Sequence, residues 1–105
     1  MGLEIERADT DNACVITVSG EVDLYSSPQL RSEITSAFGL NKSQVVVDLR
    51  NVNYMDSSGV ATLIEGLRTS REKNMKLILM APSTPVRKVL ELSRLSTVFD
   101  IQESL

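Results

Sequence analysis

Three consecutive valines, at positions 45–47, lie in the segment QVVVDL that spans residues 44–49. Valine is β-branched and favours strands, and an apolar run without polar alternation indicates a strand that is covered on both faces. Strands of this kind are typical of parallel sheets, in which crossover helices join neighbouring strands. The run therefore predicts an α/β fold built on a mostly parallel sheet.

The segments before this run predict an antiparallel hairpin followed by a helix. Residues 3–8 (LEIERA) and 13–18 (ACVITV) have the residue types of strands, and the turn-forming segment DTDN lies between them. Ser27 is suited to the N-cap of a helix and Pro28 to its first position. Apolar residues at helical spacing follow, so we expect the first helix here.

The segments after the valines repeat the alternation of helix and strand. A second helix is predicted from the apolar stripe that starts at Val60, and residues 76–80 (KLILM) read as a strand. Thr84 is suited to cap a third helix, and residues 98–101 are suited to a short edge strand. The order ββαβαβα predicts one α/β domain over residues 1–105, with a mixed, mostly parallel sheet and helices packed on it.

The composition restricts the chemistry that is open to this chain. No histidine occurs among the 105 residues, so neither a Ser-His-Asp triad nor a phosphohistidine can form. Cys14 is the one cysteine, which leaves no thiol cluster for zinc and no internal disulfide. We expect Cys14 to be a buried structural residue, because it lies in a β-branched run. We expect neither a metal nor a cofactor.

Charge and hydropathy indicate the compartment. A net charge of −3 does not favour nucleic acid, which is bound largely through Lys and Arg. No apolar run approaches the roughly 20 residues that span a bilayer. The opening residues, MGLEIERADTD, lack the basic start and apolar core of a signal peptide. We therefore expect a cytoplasmic protein that binds neither nucleic acid nor membrane.

The segment NYMDSSGVATL, residues 53–63, joins a predicted strand to a predicted helix. One interpretation is that Asp56, Ser57 and Ser58 only cap the helix, as these residue types commonly do. The other is that a serine is a target for modification, because functional sites gather beyond strand ends and a helix start accommodates a phosphate. Gly59 would let another backbone approach. Activation of Ser57 by Asp56 is disfavoured, since a carboxylate is a weak base for an alcohol.

Two motifs resemble those of the bacterial anti-sigma factor antagonists, single-domain members of the STAS family. Residues 19–30, SGEVDLYSSPQL, are similar to the family's Gly-Glu-apolar-Asp segment before the first helix. Residues 45–66, VVVDLRNVNYMDSSGVATLIEG, are similar to its strand, Asp-Ser-[Ser/Thr]-Gly loop and second helix. The order ββαβαβα also agrees, so the resemblance covers nearly the whole chain.

The resemblance implies a partner-switching role without catalysis. Such proteins bind an anti-sigma factor that is itself a serine kinase, and this frees a sigma factor. The kinase phosphorylates the serine that directly follows the loop aspartate, here Ser57, and the complex dissociates until a PP2C-type phosphatase removes the phosphate. By position Asp23, Asp56, Ser58 and Gly59 are the other partner-binding residues. The free protein is expected to be a monomer, with Asp23 and the 56–59 loop at the same end of the sheet.

The chain departs from the family where many relatives have Gly-Leu-Gly after the serines, since it has Gly59, Val60 and Ala61. Alanine has high helix propensity, so we expect the helix to persist while the choice of kinase changes. Two alternatives stay open. The chain could be a STAS scaffold or a transporter-associated regulatory subunit, because fold does not fix function. It could also be a small hydrolase or phosphotransferase that uses Ser57, which the missing histidine disfavours.

Overall fold

The computed structural model describes residues 2–104, so both predicted domain limits, Met1 and Leu105, lie outside the described residues. The strands are β1 (Leu3–Asp9), β2 (Ala13–Val22), β3 (Gln44–Met55), β4 (Lys76–Met80) and β5 (Asp100–Gln102). The helices are α1 (Ser27–Phe38), α2 (Ser57–Glu72) and α3 (Thr84–Leu92). Among the helices within 2–104, none is long and apolar enough to cross a membrane.

The strands form one sheet whose spatial order, β1-β2-β3-β4-β5, is the order of the chain. β1 pairs antiparallel with β2, and every later pair is parallel. Each helix therefore connects two parallel neighbours, as right-handed crossover units do. The predicted class, a mixed and mostly parallel α/β sheet with helices packed on it, is confirmed. The predicted edge strand is also present, although it begins at Asp100 rather than at residue 98.

The valine run is buried on both faces, as predicted, but by different neighbours on each face. Val45 and Val47 belong to the main core, to which all three helices contribute apolar residues. Val46 belongs to a smaller cluster of strand residues and Ala81 on the opposite face. Val15 and Ile78 stand beside Val46 in register on the adjacent strands, so the three side chains cover one another. The helices thus pack on one face, whereas contacts with neighbouring strands bury Val46 on the other.

β3 is long, and its second half extends past β4. Its pairing with β4 ends at Asp48, opposite Met80, while its pairing with β2 continues to Met55, opposite Val22. Two irregularities in the β2–β3 register accommodate this extension. The ends of β2 and β3 therefore lie side by side at one edge of the sheet, where the two sequence motifs continue.

Two helices begin differently from the prediction. Ser26, not Ser27, is the N-cap of α1, and Ser27 is a buried residue of the first turn. Ser83, not Thr84, is the N-cap of α3, and its hydroxyl donates to the carbonyl of Val52 at 2.5 Å. In both helices two hydroxyl residues are adjacent, and the one at the N-cap directs its hydroxyl away from the helix, Ser26 to Asp23 and Glu21 and Ser83 to Val52.

The buried position predicted for Cys14 is confirmed, since its side chain is fully enclosed. Burial, with a hydrogen bond from the thiol to Asp9, raises the pKa of Cys14 to about 11. The thiol therefore stays protonated at neutral pH, and the thiolate is the reactive form.

We expect a bulky thiol reagent at pH 8 to leave the native protein unlabelled. The same reagent in denaturant is expected to label Cys14 fully; rapid labelling without denaturant would contradict the packing.

Candidate functional site

The two sequence motifs meet at the edge of the sheet where β2 and β3 end. Val22 is paired with Met55, and the amide of Asp56 donates to the carbonyl of Val22 at 3.1 Å. Asp23 directly follows Val22 at the end of β2, and Asp56 directly follows Met55 at the end of β3. The two aspartates therefore leave the sheet side by side. The prediction that Asp23 and the 56–59 loop share one end of the sheet is confirmed.

Asp56 is the N-cap of α2. Its backbone is extended, and its Oδ1 accepts from the amides of Ser58 at 2.9 Å and Gly59 at 3.4 Å. The Ser58 hydroxyl donates to the same oxygen at 2.5 Å. The capping interpretation is therefore correct for Asp56, whose carboxylate accepts from the amide of Ser58 and shares the amide of Gly59 with the Asp56 carbonyl.

The two adjacent serines have different environments. Ser58 is half-buried, and its hydroxyl is occupied by the bond to Asp56. Ser57 is exposed at the first position of α2, and its hydroxyl makes no hydrogen bond within residues 2–104. An exposed hydroxyl with no internal partner is the one that another protein can reach without disturbing the fold. Ser57 alone of the two has this property.

Gly59 has an internal reason to be glycine. It is buried, and a Cβ on it would lie 2.6 Å from Cγ of Met55 and 2.8 Å from Cγ1 of Val22. The missing side chain lets the first turn of α2 pack against the ends of β2 and β3. Close packing inside the protein thus accounts for this glycine, while the approach of a partner's backbone stays a prediction.

Asp23 organises the turn that leads from β2 to α1. Its Oδ1 accepts from the amides of Ser26 and Tyr25, both at 3.0 Å, and from the Ser26 hydroxyl at 3.1 Å. The hydrogen bonds from Ser26 and Tyr25 lower the pKa of Asp23, because they favour the charged form. Asp23 therefore carries a full negative charge at neutral pH, and it does so at a fixed position.

Three large apolar side chains beside these acids were not singled out from the sequence. Leu24 and Tyr25 follow Asp23 and are 68% and 90% exposed, and Tyr54, close before Asp56, is 48% exposed. Tyr54 pairs with Glu21 of β2, so all three lie where β2 and β3 end. Exposed apolar groups rimmed by charge are typical of protein-binding surfaces. The sequence feature that could have indicated this surface is the position of the two tyrosines, each two residues from a predicted site aspartate.

The STAS domain family model matches residues 4–105. An anti-sigma-B factor antagonist of Listeria monocytogenes is 28% identical over 103 residues, which is 97% of this chain and 89% of that protein. Coverage on both sides is thus nearly complete.

Two solved structures share both fold and sequence. The anti-sigma factor antagonist SpoIIAA in its unphosphorylated form is 28% identical with a TM-score of 0.77, over 95% of this chain and 87% of that one. The Bacillus cell fate determinant SpoIIAA in its phosphorylated form is 28% identical with a TM-score of 0.71, over 95% and 90%. The similarity extends through the elements that carry the site.

The cap assignment predicts unequal effects of two alanine substitutions. Asp56→Ala removes the cap and is expected to lower the free energy of unfolding by about 1 kcal/mol. Ser57→Ala removes a hydroxyl without a partner and is expected to change it by less than about 0.5 kcal/mol. Urea unfolding of both variants measures this, with Asp56→Asn as a control that keeps a capping oxygen. Equal losses for Asp56→Ala and Ser57→Ala would show that the cap is wrongly assigned.

The packing of Gly59 predicts a larger loss. Gly59→Ala places a Cβ against Met55 and Val22 and is expected to cost about 1–3 kcal/mol of folding free energy through overpacking. Gly2→Ala is the matched control, because a Cβ on Gly2 would meet nothing within 4 Å. Denaturant midpoints of the two variants check the prediction. A Gly59→Ala protein as stable as the Gly2→Ala protein would mean that α2 is free to move away from the sheet.

Proposed function

This chain belongs to the STAS domain family, and on that premise we propose that it is an anti-sigma factor antagonist controlled by phosphorylation of Ser57. In its unmodified form it binds an anti-sigma factor that is a serine kinase, and so frees a sigma factor. Phosphorylation of Ser57 releases the complex, and a PP2C-type phosphatase resets it. The observation that carries the proposal is the exposed, unbonded hydroxyl of Ser57 at the start of α2, beside the carboxylates of Asp56 and Asp23.

The relatives support the proposal in general terms. The similar Listeria protein is an antagonist of an anti-sigma-B factor. SpoIIAA, which shares the fold of this chain, exists in both an unphosphorylated and a phosphorylated form. A chain of this architecture is therefore compatible with a phosphate, and the position of that phosphate is argued from the site.

Local chemistry favours Ser57 over Ser58 as the acceptor. A kinase needs a hydroxyl that can enter its active site, and the hydroxyl of Ser57 points to no partner among residues 2–104. Transfer to Ser58 would first break its bond to Asp56 and would then crowd a phosphate against that carboxylate. Phosphorylation of Ser58 thus opposes the helix cap, whereas phosphorylation of Ser57 leaves it intact.

A phosphate on Ser57 would act on the interface more than on the fold. It adds about −1.5 to −2 charges at neutral pH, next to Asp56 and at the same edge as Asp23. Within the free chain the positive end of α2 partly offsets this charge. At an interface fitted to a neutral hydroxyl, charge repulsion and desolvation of the phosphate would cost on the order of several kcal/mol of binding free energy. This is enough to dissociate a micromolar complex.

The surface around Ser57 indicates what the partner presents there. Asp23 is held ionised by its turn, so a basic side chain of the partner is its natural counterpart. Tyr25, which is 90% exposed, and Leu24 and Tyr54 beside it offer apolar area with little conformational cost. We propose that these three side chains are anchors of the complex and that the two acids set its register.

Binding without catalysis agrees with the same geometry. A serine nucleophile needs a base that accepts its proton, and Ser57 makes no hydrogen bond to Asp56. The Oδ1 of Asp56 already accepts from two amides and from the Ser58 hydroxyl. Ser57 is therefore proposed as a substrate for the partner's chemistry and not as a nucleophile of this chain.

The test is a phosphorylation assay with the cognate kinase anti-sigma factor and ATP, followed by mapping of the modified residue. We expect phosphate on Ser57 in the unmodified chain and in Ser58→Ala, and none in Ser57→Ala. The Ser57→Ala protein should still fold and capture the kinase, since it keeps a small neutral side chain. Ser57→Asp should bind more weakly, although it adds only one charge.

Two results would overturn the assignment. One is phosphate on Ser58 alone. The other is a folded Ser57→Asp protein that binds the kinase as tightly as the unmodified chain. Treatment with a metal-dependent PP2C-type phosphatase is expected to remove the phosphate and restore capture of the kinase.

A further inference from the structure

A groove of about 320 Å³ lies between the C-terminal half of α2 and the segment that follows α3. Its apolar lining is Ile64 and Leu67 from α2, with Leu95 and Val98 from the segment before β5. The first three pack against the main core on one side and remain partly open on the other. Val98 is 43% exposed. The groove is thus a hydrophobic trough on the surface, and neither Ser57 nor its neighbours in the 54–59 segment line it.

Two arginines form the charged rim of this groove. Arg68 and Arg71 line it, both are exposed, and neither makes an ion pair or a side-chain hydrogen bond within residues 2–104. Glu72 is the one carboxylate in the lining. The helix dipole accounts for a cation in the last turn, at Arg71, but not for Arg68 or for the apolar lining beside it. The rim is therefore locally basic on a chain whose net charge is −3.

The groove is continuous with the surface around Ser57. Residues 57, 61, 64, 68 and 71 follow one another at spacings of four and three, so they lie along one face of α2. All five are exposed or half-buried. At a rise of 1.5 Å per residue, Ile64 lies about 10 Å and Arg71 about 21 Å along the helix from Ser57. A partner that covers Ser57 and extends along α2 reaches the groove.

We propose that the groove binds an amphipathic, acidic segment of the protein partner that covers Ser57. Apolar side chains of that segment enter the trough between Ile64, Leu67 and Val98, and its carboxylates pair with Arg68 and Arg71. The attribution to that partner rests on the proposed function, whereas the chemistry of the groove does not. This occupant is inferred from three features of the groove. They are its positively charged rim, its apolar floor and its continuity with the face of α2 that carries Ser57.

The distance along α2 gives the groove a regulatory consequence. Charges in solvent are screened over about 8–10 Å at physiological ionic strength. Most of the groove lies farther than that from a phosphate on Ser57. Phosphorylation would therefore weaken the contacts around Ser57 and leave those in the groove, so that the released form keeps a residual affinity for the partner.

The test is a titration of the full isotope-labelled chain with a synthetic amphipathic peptide of about 16 residues, a length that supports a helix. One peptide has leucines on one face and glutamates flanking them, and the matched peptide has lysines in place of the glutamates. We expect the acidic peptide to shift the amide signals of residues 64–72 and 95–98 and the basic peptide to bind at least about tenfold more weakly.

Variants separate the groove from its surroundings. Arg68→Glu combined with Arg71→Glu should weaken the acidic peptide about tenfold. Val98→Asp, at an exposed position, should weaken both peptides. Lys88→Glu on α3 should leave binding unchanged, because Lys88 is exposed and does not line the groove. Since no kinase is present, failure of the proposed function at Ser57 would not alter these results.

Three outcomes would overturn the proposal. They are equal affinity for the acidic and basic peptides, shifts outside the groove only, and self-association of the chain that covers residues 64–72. The last would make a second copy the occupant instead of a partner. When the kinase is available, the phosphorylated chain should keep a weak affinity for it, and Arg68→Glu combined with Arg71→Glu should remove that affinity. A phosphorylated chain without the two substitutions that shows no residual affinity would also contradict the proposal.

Discussion

The pairing of β2 with β3 beyond the end of β4 is the interaction on which the site depends. It brings Val22 beside Met55 and directs the amide of Asp56 to the carbonyl of Val22. Gly59 then allows α2 to start against the same two side chains. Two segments that are more than thirty residues apart in the chain are thereby held at one edge of the sheet. Without this extension Asp23 and Ser57 would have no fixed relation.

Asp56 gives the two serines that follow it different environments. Its carboxylate caps α2 and holds the hydroxyl of Ser58, and the hydroxyl of Ser57 is left to solvent. A chemical change at Ser57 therefore meets no internal bond that it must break. Under the proposed function, this separation of the cap from the phosphorylated serine would let a charge be added at the helix start while the helix itself is retained.

Much of the fold could be predicted from periodicity, because strand and helix patterns alternate clearly after the hairpin and each pattern has its own apolar spacing. The meeting of the two motifs was predictable as well, since parallel strands bring their C-terminal ends to one edge. Other features depend on contacts that a sequence does not display. Ser26 replaces Ser27 as the cap of α1 while its hydroxyl bonds to Asp23 and Glu21, and the role of Gly59 follows from its distance to Met55. The exposure of Tyr25 is likewise a tertiary property.

The central claim is that one phosphate on Ser57 changes affinity for the kinase anti-sigma factor without changing the fold. The most direct measurement is calorimetric titration of that partner with the chain carrying phosphoserine at residue 57, alongside the unmodified chain, with amide spectra of both. We expect at least about 100-fold weaker binding of the phosphorylated chain, equivalent to about 2.7 kcal/mol, and spectral changes confined to the surroundings of residues 23–25 and 54–59. Equal affinity of the two forms, or loss of binding through unfolding of the phosphorylated chain, would contradict it.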